Sequence, residues 1–232
     1  MVKVLSFSLW GDNETYIYGA IINAELAMSF YPDFECWIYV HKESVPDEII
    51  NELEKMKNVK VILKTGDLTN EVCKPRMWRF EAIDDPNVEI MMSRDTDTRI
   101  LPREKLAVDE WLRSGKSFHI MRDHPHHFYK ILAGMFGTRK LPEIPSWKYE
   151  INKFIKTNNK MYDQDFLRDI IYPHIKNDAV VHATFSKLEP QSKDFPIKYD
   201  SDYRFVGEYV YSDESRSQSH IDILLDELKK LQ

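Results

Sequence analysis

Two kinds of segment alternate along the first hundred residues. Short apolar runs, typical of buried strands, lie at Lys3–Leu9, Cys36–Val40 and Val59–Leu63. Between the first two runs, Glu14–Tyr31 carries apolar residues at helical spacing and ends before Pro32. Three strand–helix units in succession predict a mainly parallel sheet that is covered by helices on both faces. The pattern therefore predicts an α/β fold.

Two further helices are expected before residue 88, where the next apolar run begins. Ser44 is the expected N-cap of one of them, and Asp47 follows three residues later, close to a capping box. The stretch Thr69–Ala82 fits the other, with Arg76 and Arg79 three residues apart on one face. Either arginine could bind a phosphate or form a salt bridge with an acidic neighbour.

An apolar run that begins at Val88 ends in two aspartates one residue apart, Asp95 and Asp97. The chain can turn after a strand ends, so both carboxylates could approach one cation. Mg2+ and Mn2+ prefer oxygen ligands and commonly bridge carboxylates to phosphates. Ligands of open α/β sheets bind at the carboxyl ends of strands, where this pair falls. A solvated loop with two surface acids is the alternative for an isolated Asp-x-Asp.

The second half of the chain is less regular. Gly134 and Gly137 bracket two bulky apolar residues, which indicates a tight turn or close backbone approach to a ligand. The stretch Glu189–Ser219 is polar and rich in loops, and it could cover a ligand as a lid. The remaining predicted elements are helices over Pro102–Leu112, Trp147–Asn158, Asp163–Pro173 and Ile221–Leu231, and strands over Ser117–Met121 and Ala179–Val181.

Composition narrows the class of protein. A chain of 232 residues with 43% hydrophobic and 30% charged residues is typical of a globular protein of one large domain or two small ones. The net charge of −6 argues against nonspecific nucleic-acid binding. Cys36 and Cys73 have no nearby thiol partner in sequence, which favours a reducing compartment. No stretch approaches the roughly 18 apolar residues of a spanning helix, so we expect a soluble, cytoplasmic protein without a membrane anchor.

The ordered set of these features resembles the GT-A nucleotide-sugar glycosyltransferases. It is most similar to the small, anchorless enzymes of that fold in large DNA viruses of algae, the chlorella viruses, which would place the protein in the host cytoplasm. The resemblance implies a single GT-A domain over residues 1–232, with a Rossmann-like nucleotide-binding half over about 1–97 and a donor-sugar and acceptor half over about 98–232. The supporting segments are Met77–Phe80, Arg94–Arg99, His119–Pro125, Gly134–Gly137 and Asp163–Leu167.

The resemblance also implies a metal cofactor, Mn2+ or Mg2+, held by Asp95, Asp97 and His182. Such a cation would stabilise the charge of a nucleoside diphosphate leaving group. A packed core histidine is the alternative for His182. The residues implied to contact the nucleotide, its diphosphate or the donor sugar are Ser8, Leu9, Trp10, Gly11, Tyr16, Arg76, Arg79, Arg94, Asp95, Thr96, Asp97 and Gly134.

Three further residues are implied to bind the donor sugar and the reacting centre, namely Asp123, Asp163 and Gln164. The triplet Asp163-Gln164-Asp165 followed by Phe-Leu looks like a motif of retaining hexosyltransferases, so transfer with retention is expected. Those families have a glycine after their histidine, which this chain lacks after His182. By resemblance the donor is a UDP-sugar, with GDP as the open alternative, and the acceptor is an oligosaccharide or a glycoprotein glycan.

Other interpretations remain open at this point. The histidines of Arg122–His127 could form a transition-metal site, could lie near the acceptor, or could be plain surface residues. A haloacid-dehalogenase-type phosphatase also has a strand that ends in Asp-x-Asp, but it usually has Thr or Val where Arg99 stands. A non-catalytic nucleotide-sugar or glycan-binding protein would keep the fold without turnover.

Overall fold

The computed structural model describes residues 1–68, 74–157 and 163–231, and a central sheet organises them. In the described part of the chain this sheet has seven strands, numbered here in chain order. They are β1 (Val2–Leu9), β2 (Phe34–His41), β3 (Val59–Lys64), β4 (Val88–Arg94), β5 (Phe118–Arg122), β6 (Met135–Arg139) and β7 (Ala179–Ala183). Their spatial order is β3-β2-β1-β4-β6-β5-β7.

The sheet is mostly parallel, as the sequence predicts. Strand β1 lies between β2 and β4 and is parallel to both, and β3 extends the sheet in the same sense. Strand β6 is antiparallel to β4 and β5, whereas β5 and β7 are parallel to each other. All described strands except β6 therefore have their carboxyl ends at one edge of the sheet. The predicted α/β fold class is confirmed.

Helices cover both faces of the sheet, and a 3-10 turn over Arg79–Asp84 directly follows α3. A π turn, Leu167–Ile171, joins α6 to α7, so this helical stretch continues past the predicted end near Pro173. The helices are α1 (Glu14–Phe30), α2 (Asp47–Lys55), α3 (Lys74–Trp78), α4 (Pro102–Ser114), α5 (Trp147–Thr157), α6 (Asp163–Phe166), α7 (Tyr172–Ile175) and α8 (Gln218–Lys230).

Two local predictions differ from the structure, and part of a third lies outside the described residues. Helix α2 begins at Asp47 without a side-chain cap, and the hydroxyl of Ser44 instead accepts a hydrogen bond from the Gly11 amide at 2.8 Å. The glycine-bracketed segment forms β6 rather than a tight turn, because Met135 and Phe136 are buried in the sheet. The start of the predicted helix Thr69–Ala82, together with Cys73 and Asn158, lies outside the described residues.

Alternating residues of the central strands β1 and β4 pack into two separate cores. Leu5 of β1 and Met92 of β4 belong to one core, and Val4 and Met91 belong to the other. Since neighbouring side chains of a strand point to opposite faces, the two cores lie on opposite sides of the sheet. In the described part of the chain, no helix is long and apolar enough to cross a membrane.

A cluster of four aromatic side chains fixes the 3-10 turn below the carboxyl edge of the sheet. The ring of Phe80 packs against Phe136, Trp147 and Phe166, with centroids 5.4, 6.1 and 6.3 Å away. All of these side chains are fully buried or nearly so. Because Phe80 is fixed by this packing, the preceding Arg79 is held at the end of β1.

Candidate active site

A cleft of about 620 Å3 lies at the carboxyl edge of the sheet, beside the ends of β1 and β4. This is the place where open α/β sheets bind ligands. The cleft brings together residues that are far apart in sequence. It is lined by Ser8, Trp10, Gly11, Asp12, Asn13, Tyr16, Arg76, Arg79, Asp95, Thr96, Asp97, His127, Leu132, Ala133, Gly134, Met135, Asp163, Gln164 and Gly207.

The loop that carries Asp95 and Asp97 is held against helix α1 by Asn23. The buried side-chain amide of Asn23 donates to the carbonyls of Thr96 at 3.3 Å and Thr98 at 2.7 Å. Its oxygen accepts from the amide of Ile100 at 3.3 Å. These bonds satisfy buried backbone groups that a turning loop would otherwise leave unpaired. The loop geometry therefore depends on a residue of the first helix.

Gly134 makes room for one of the two carboxylates. A Cβ atom at this position would lie 1.8 Å from Oδ2 of Asp95 and 2.5 Å from its Cγ. The carboxylate thus packs directly on the glycine backbone. The sequence indicated a close approach at Gly134, and the structure shows that an aspartate of the chain itself makes it.

Arg79 connects the acidic loop to the start of α6. Its buried guanidinium donates to Asp95, to the Arg94 carbonyl at 2.9 Å and to Oδ2 of Asp163 at 3.2 Å. Its main-chain amide donates to the hydroxyl of Ser8 at 3.1 Å. Burial tends to lower the pKa of this guanidinium, but the two carboxylates outweigh burial and raise it, so Arg79 stays charged.

Two carboxylates of the cleft, those of Asp97 and Asp163, have raised pKa values. Burial and the adjacent charge of Asp95 raise the pKa of Asp97 to about 7, and Arg79 only partly offsets them. Burial also raises the pKa of Asp163, against the opposing effect of Arg79. Buried like charges disfavour ionisation, and a bound cation would relieve this repulsion. The pair Asp95 and Asp97 therefore has the charge and the oxygen donors that suit a hard divalent cation.

The structure does not bring His182 to the two aspartates. This fully buried side chain lies on β7, its Nδ1 is 2.8 Å from Nε2 of His119, and its Nε2 is 3.1 Å from Glu110. Burial, the largest cause, lowers its pKa to about 4. Among the described residues, no group of three or more His, Cys, Asp or Glu side chains is placed to hold a metal ion. His182 is thus a core histidine, and its expected place in a metal shell is corrected.

Asp123 is likewise held away from the cleft. Its fully buried carboxylate accepts two hydrogen bonds from Arg103 at 2.8 Å, one from Thr184 at 2.8 Å and one from the Tyr199 hydroxyl at 2.9 Å. The amide of Val206 completes the set at 3.0 Å. With its oxygens occupied in this way, Asp123 anchors the C-terminal part of the chain. The expected contact with a donor sugar is corrected accordingly.

Two residues expected at the nucleotide also lie elsewhere. Arg94 ends β4 with its side chain buried, where it pairs with Glu104 at 2.8 Å and donates to the Phe136 carbonyl at 2.9 Å. Leu9 is fully buried in the core on the α1 side of the sheet. Strand alternation explains both, because neighbours of cleft residues point into the sheet layers. The other expected nucleotide and donor residues line the cleft.

The histidines after β5 do not form a recognisable metal centre within the described ranges. His127 lines the cleft, and its Nδ1 accepts from the Asp123 amide at 3.1 Å. Burial lowers its pKa to about 3, so it is neutral. His126 is exposed, whereas His124 is buried beside Phe205 with ring centroids 4.5 Å apart. The positions of these histidine side chains therefore do not support a transition-metal site.

The sequence analysis expected a lid from the C-terminal part of the chain but did not single out Gly207 or Val210. Gly207 lines the cleft with a left-handed φ of 80°, and a Cβ there would lie 2.3 Å from Sδ of Met135. The amide of Val210 donates to the carbonyl of Asp97 at 2.8 Å. A glycine inside the polar stretch 189–219 was the one available signal. The stretch expected to be a lid is packed against the acidic loop.

Comparisons with known proteins bear on the fold. No protein-family model and no curated protein matches the chain. Among solved structures, it is similar to 4-diphosphocytidyl-2C-methyl-D-erythritol synthase from Anaerococcus prevotii, with a TM-score of 0.50 and 12% identity over 100% of this chain and 97% of that one. This likeness shows a GT-A-like α/β fold for the chain.

A second solved structure is a glycosyltransferase involved in the glycosylation of the major capsid of the chlorella virus PBCV-1. The TM-score is 0.49 at 16% identity, over 79% of this chain and 82% of that one. A shared fold does not establish a shared activity, which depends on the residues of the cleft.

Proposed function

We propose that the protein is a metal-dependent glycosyltransferase that uses a nucleoside-diphosphate sugar, with UDP as the nucleotide. One observation carries the proposal. Arg79 holds the Asp-x-Asp loop and the start of the Asp163-Gln164-Asp165 segment together in a single cleft. Nucleotide-sugar transfer needs this combination, because the diphosphate and the sugar of one donor must be bound side by side.

The residues of the cleft fit a bound divalent cation. Asp95 and Asp97 would hold Mn2+ or Mg2+, which when bound stabilises negative charge on a leaving diphosphate. Two protein carboxylates suffice, since such ions keep waters and bind substrate phosphates as further ligands. Arg76 and Arg79 line the same cleft and add positive charge for the phosphates.

The other side of the cleft would hold the sugar. Asp163 and Gln164 line it, and the Arg79 contact fixes the orientation of Asp163 toward a donor hydroxyl. Gln164 would lie at the reacting carbon, which favours transfer with retention. Asp165 is excluded from this role because its carboxylate pairs with Arg168 at 2.6 Å outside the cleft. The proposed acceptor is a hydroxyl group of an oligosaccharide or a glycoprotein glycan, with no nucleic acid involved.

Calorimetric binding of nucleotides tests the donor site. UDP and GDP are titrated into the wild type with Mn2+, with Mg2+ and with EDTA, and also into Asp97→Asn. Asp165→Asn is the matched control, because it removes a carboxylate of similar charge that faces away from the cleft. Metal-dependent UDP binding that is lost only in Asp97→Asn supports the proposal. Absence of binding to either nucleotide under every metal condition contradicts it.

Turnover separates an enzyme from a binding protein. A panel of UDP-sugars is incubated with the protein and Mn2+, and proton NMR follows the sugar released to water. Release with the anomeric configuration of the donor supports a retaining transferase. Binding without any release with water or added sugars would indicate a nucleotide-sugar-binding protein. Phosphate release from a generic phosphoester would indicate the phosphatase instead.

A further inference from the structure

Glu214 has a backbone conformation that a glutamate rarely adopts. Its φ is 62°, in the left-handed region, at a turn where its amide donates to the carbonyl of Tyr211 at 3.0 Å. The Cβ atom of an L-residue is crowded in this region, whereas glycine adopts it without steric cost. A glutamate at such a turn calls for a reason in its side chain.

The side chain of Glu214 holds the arginine that follows the acidic loop. Arg99 donates to Oε1 of Glu214 from Nη2 at 2.6 Å and from Nε at 3.1 Å. The same guanidinium donates from Nη1 to the carbonyls of Thr98 at 2.9 Å and Thr96 at 3.4 Å. Arg99 is 9% exposed and therefore fixed by these contacts. Glu214 thus orients a group that binds the backbone on both sides of Asp97.

The chain before Glu214 contacts the same loop. We call residues 205–216 the strap. Within it the Val210 amide donates to the Asp97 carbonyl at 2.8 Å, and Gly207 lines the cleft. The Val206 amide is anchored on Asp123 at 3.0 Å. The strap therefore extends from the buried carboxylate of Asp123 to the backbone of Asp97. Near its C-terminal end, Glu214 is bound by Arg99.

We propose that Glu214 is a positioning residue, which through Arg99 fixes the Asp95–Asp97 loop in the geometry that binds a divalent cation and a nucleoside diphosphate. The identity of the bound ligand in this inference rests on the proposed function. The contacts among Glu214, Arg99 and the loop do not depend on it. A half-exposed ion pair contributes little to global stability. The left-handed backbone of Glu214 is therefore better explained by local positioning than by stabilisation of the fold.

The test uses a substitution that separates these two roles. Glu214→Gly relieves the left-handed backbone and removes the carboxylate, so the thermal midpoint should stay unchanged or rise. The affinity for UDP in the presence of Mn2+ should fall by roughly 3- to 30-fold, the usual range for coupling through positioning contacts. Amide hydrogen exchange should become faster over residues 96–100. Tyr203→Gly is the matched control, because Tyr203 is also left-handed, at φ 54°, and does not line the cleft.

The outcomes are distinct. Faster exchange and weaker UDP binding in Glu214→Gly, with Tyr203→Gly unchanged, support the inference. Unchanged exchange over residues 96–100 overturns it, whatever the affinity. If the wild type binds no nucleotide, the proposed function fails, while the exchange comparison still decides whether Glu214 positions the loop. Equal loss of affinity in both variants would show a general effect of glycine substitution in the C-terminal part of the chain and would overturn a specific role for Glu214.

Discussion

Asp163 accepts a hydrogen bond from Nη2 of Arg79 at 3.2 Å, although the two residues are 84 positions apart in the chain. The same guanidinium holds Asp95 through Nη1. One buried cation therefore joins the end of strand β4 to the first residue of helix α6. This contact makes a single site from two motifs that the sequence presents separately.

Replacement of Arg79 by methionine should destabilise the fold. The substitution leaves Asp163 buried without its cation, and breaking a buried ion pair typically costs about 3 kcal/mol. Urea unfolding followed by circular dichroism measures the loss. Arg168→Met is the control, since Arg168 pairs with Asp165 and Asp169 at the surface and should cost less than about 1 kcal/mol. Equal losses in the two variants would contradict the central place of Arg79.

Gly134→Ala should impair the cleft while leaving the fold intact. The new methyl group would occupy the position of the Asp95 carboxylate and would lie 3.1 Å from the Asp95 amide nitrogen, so the carboxylate would have to turn away from Arg79. We expect at least roughly a tenfold loss of Mn2+-dependent UDP affinity, the lower range for disturbed metal sites. Gly137→Ala is the matched control. Its methyl group would meet the Trp111 ring at 2.6 Å, so it should lower stability and leave affinity nearly unchanged.

The sequence predicts the parallel half of the fold well, because strand and helix periods are local. The runs that form β1, β2 and β3 differ from the observed strands by only one or two residues at each end. Strand β6 was missed, since its five residues contain a glycine and pair only with strands remote in sequence. Non-local pairing of a short segment leaves no periodic signal.

The residues of the candidate site also fall into two groups, those that the sequence predicts correctly and those that it does not. Asp95, Asp97, Asp163 and Gln164 follow from their motifs, and the structure places all four in the cleft. The roles implied for Asp123 and His182 depended on the direction of side chains and on remote partners. Arg103 and Glu110, which occupy those two side chains, carry no motif that would reveal the contacts. The resemblance to GT-A enzymes indicated the order of the elements, but it did not indicate that Arg103 and Glu110 bind these two side chains.

His182→Asn should separate the expected metal shell from the observed core contact. Because His182 lies between His119 and Glu110, the variant should lower stability by about 1–3 kcal/mol through its unsatisfied partners. Its Mn2+-dependent UDP affinity should match that of the wild type, in contrast to Asp97→Asn. Calorimetry on the folded fraction measures both variants. A loss of metal dependence in His182→Asn would restore the histidine to the metal shell.

Acid should destabilise the protein through its buried histidines. Burial lowers the pKa of His182 to about 4 and that of His127 to about 3, below the ordinary histidine value of 6.5. The unfolded chain therefore takes up protons first as the pH falls. Stability from these groups is complete above about pH 6.5 and is lost as the pH falls to about 4 for His182 and about 3 for His127, at up to about 1.4 kcal/mol per pH unit for each histidine.

Asp97 should have the opposite effect, so that its contribution to the free energy of unfolding rises as the pH falls from about 7 to 4. Its pKa in the folded protein is about 7, above the carboxyl value of the unfolded chain, so the native state binds the extra proton between pH 7 and 4. Asp97→Asn removes this opposing contribution, and its stability should fall more steeply with acid, by about 1.4 kcal/mol per pH unit. Urea midpoints at pH 7, 6 and 5 for both proteins measure the difference. Parallel slopes would show that the pKa of Asp97 lies near its ordinary value, because burial and the neighbouring charge of Asp95 would then be too weak to hold a proton on it.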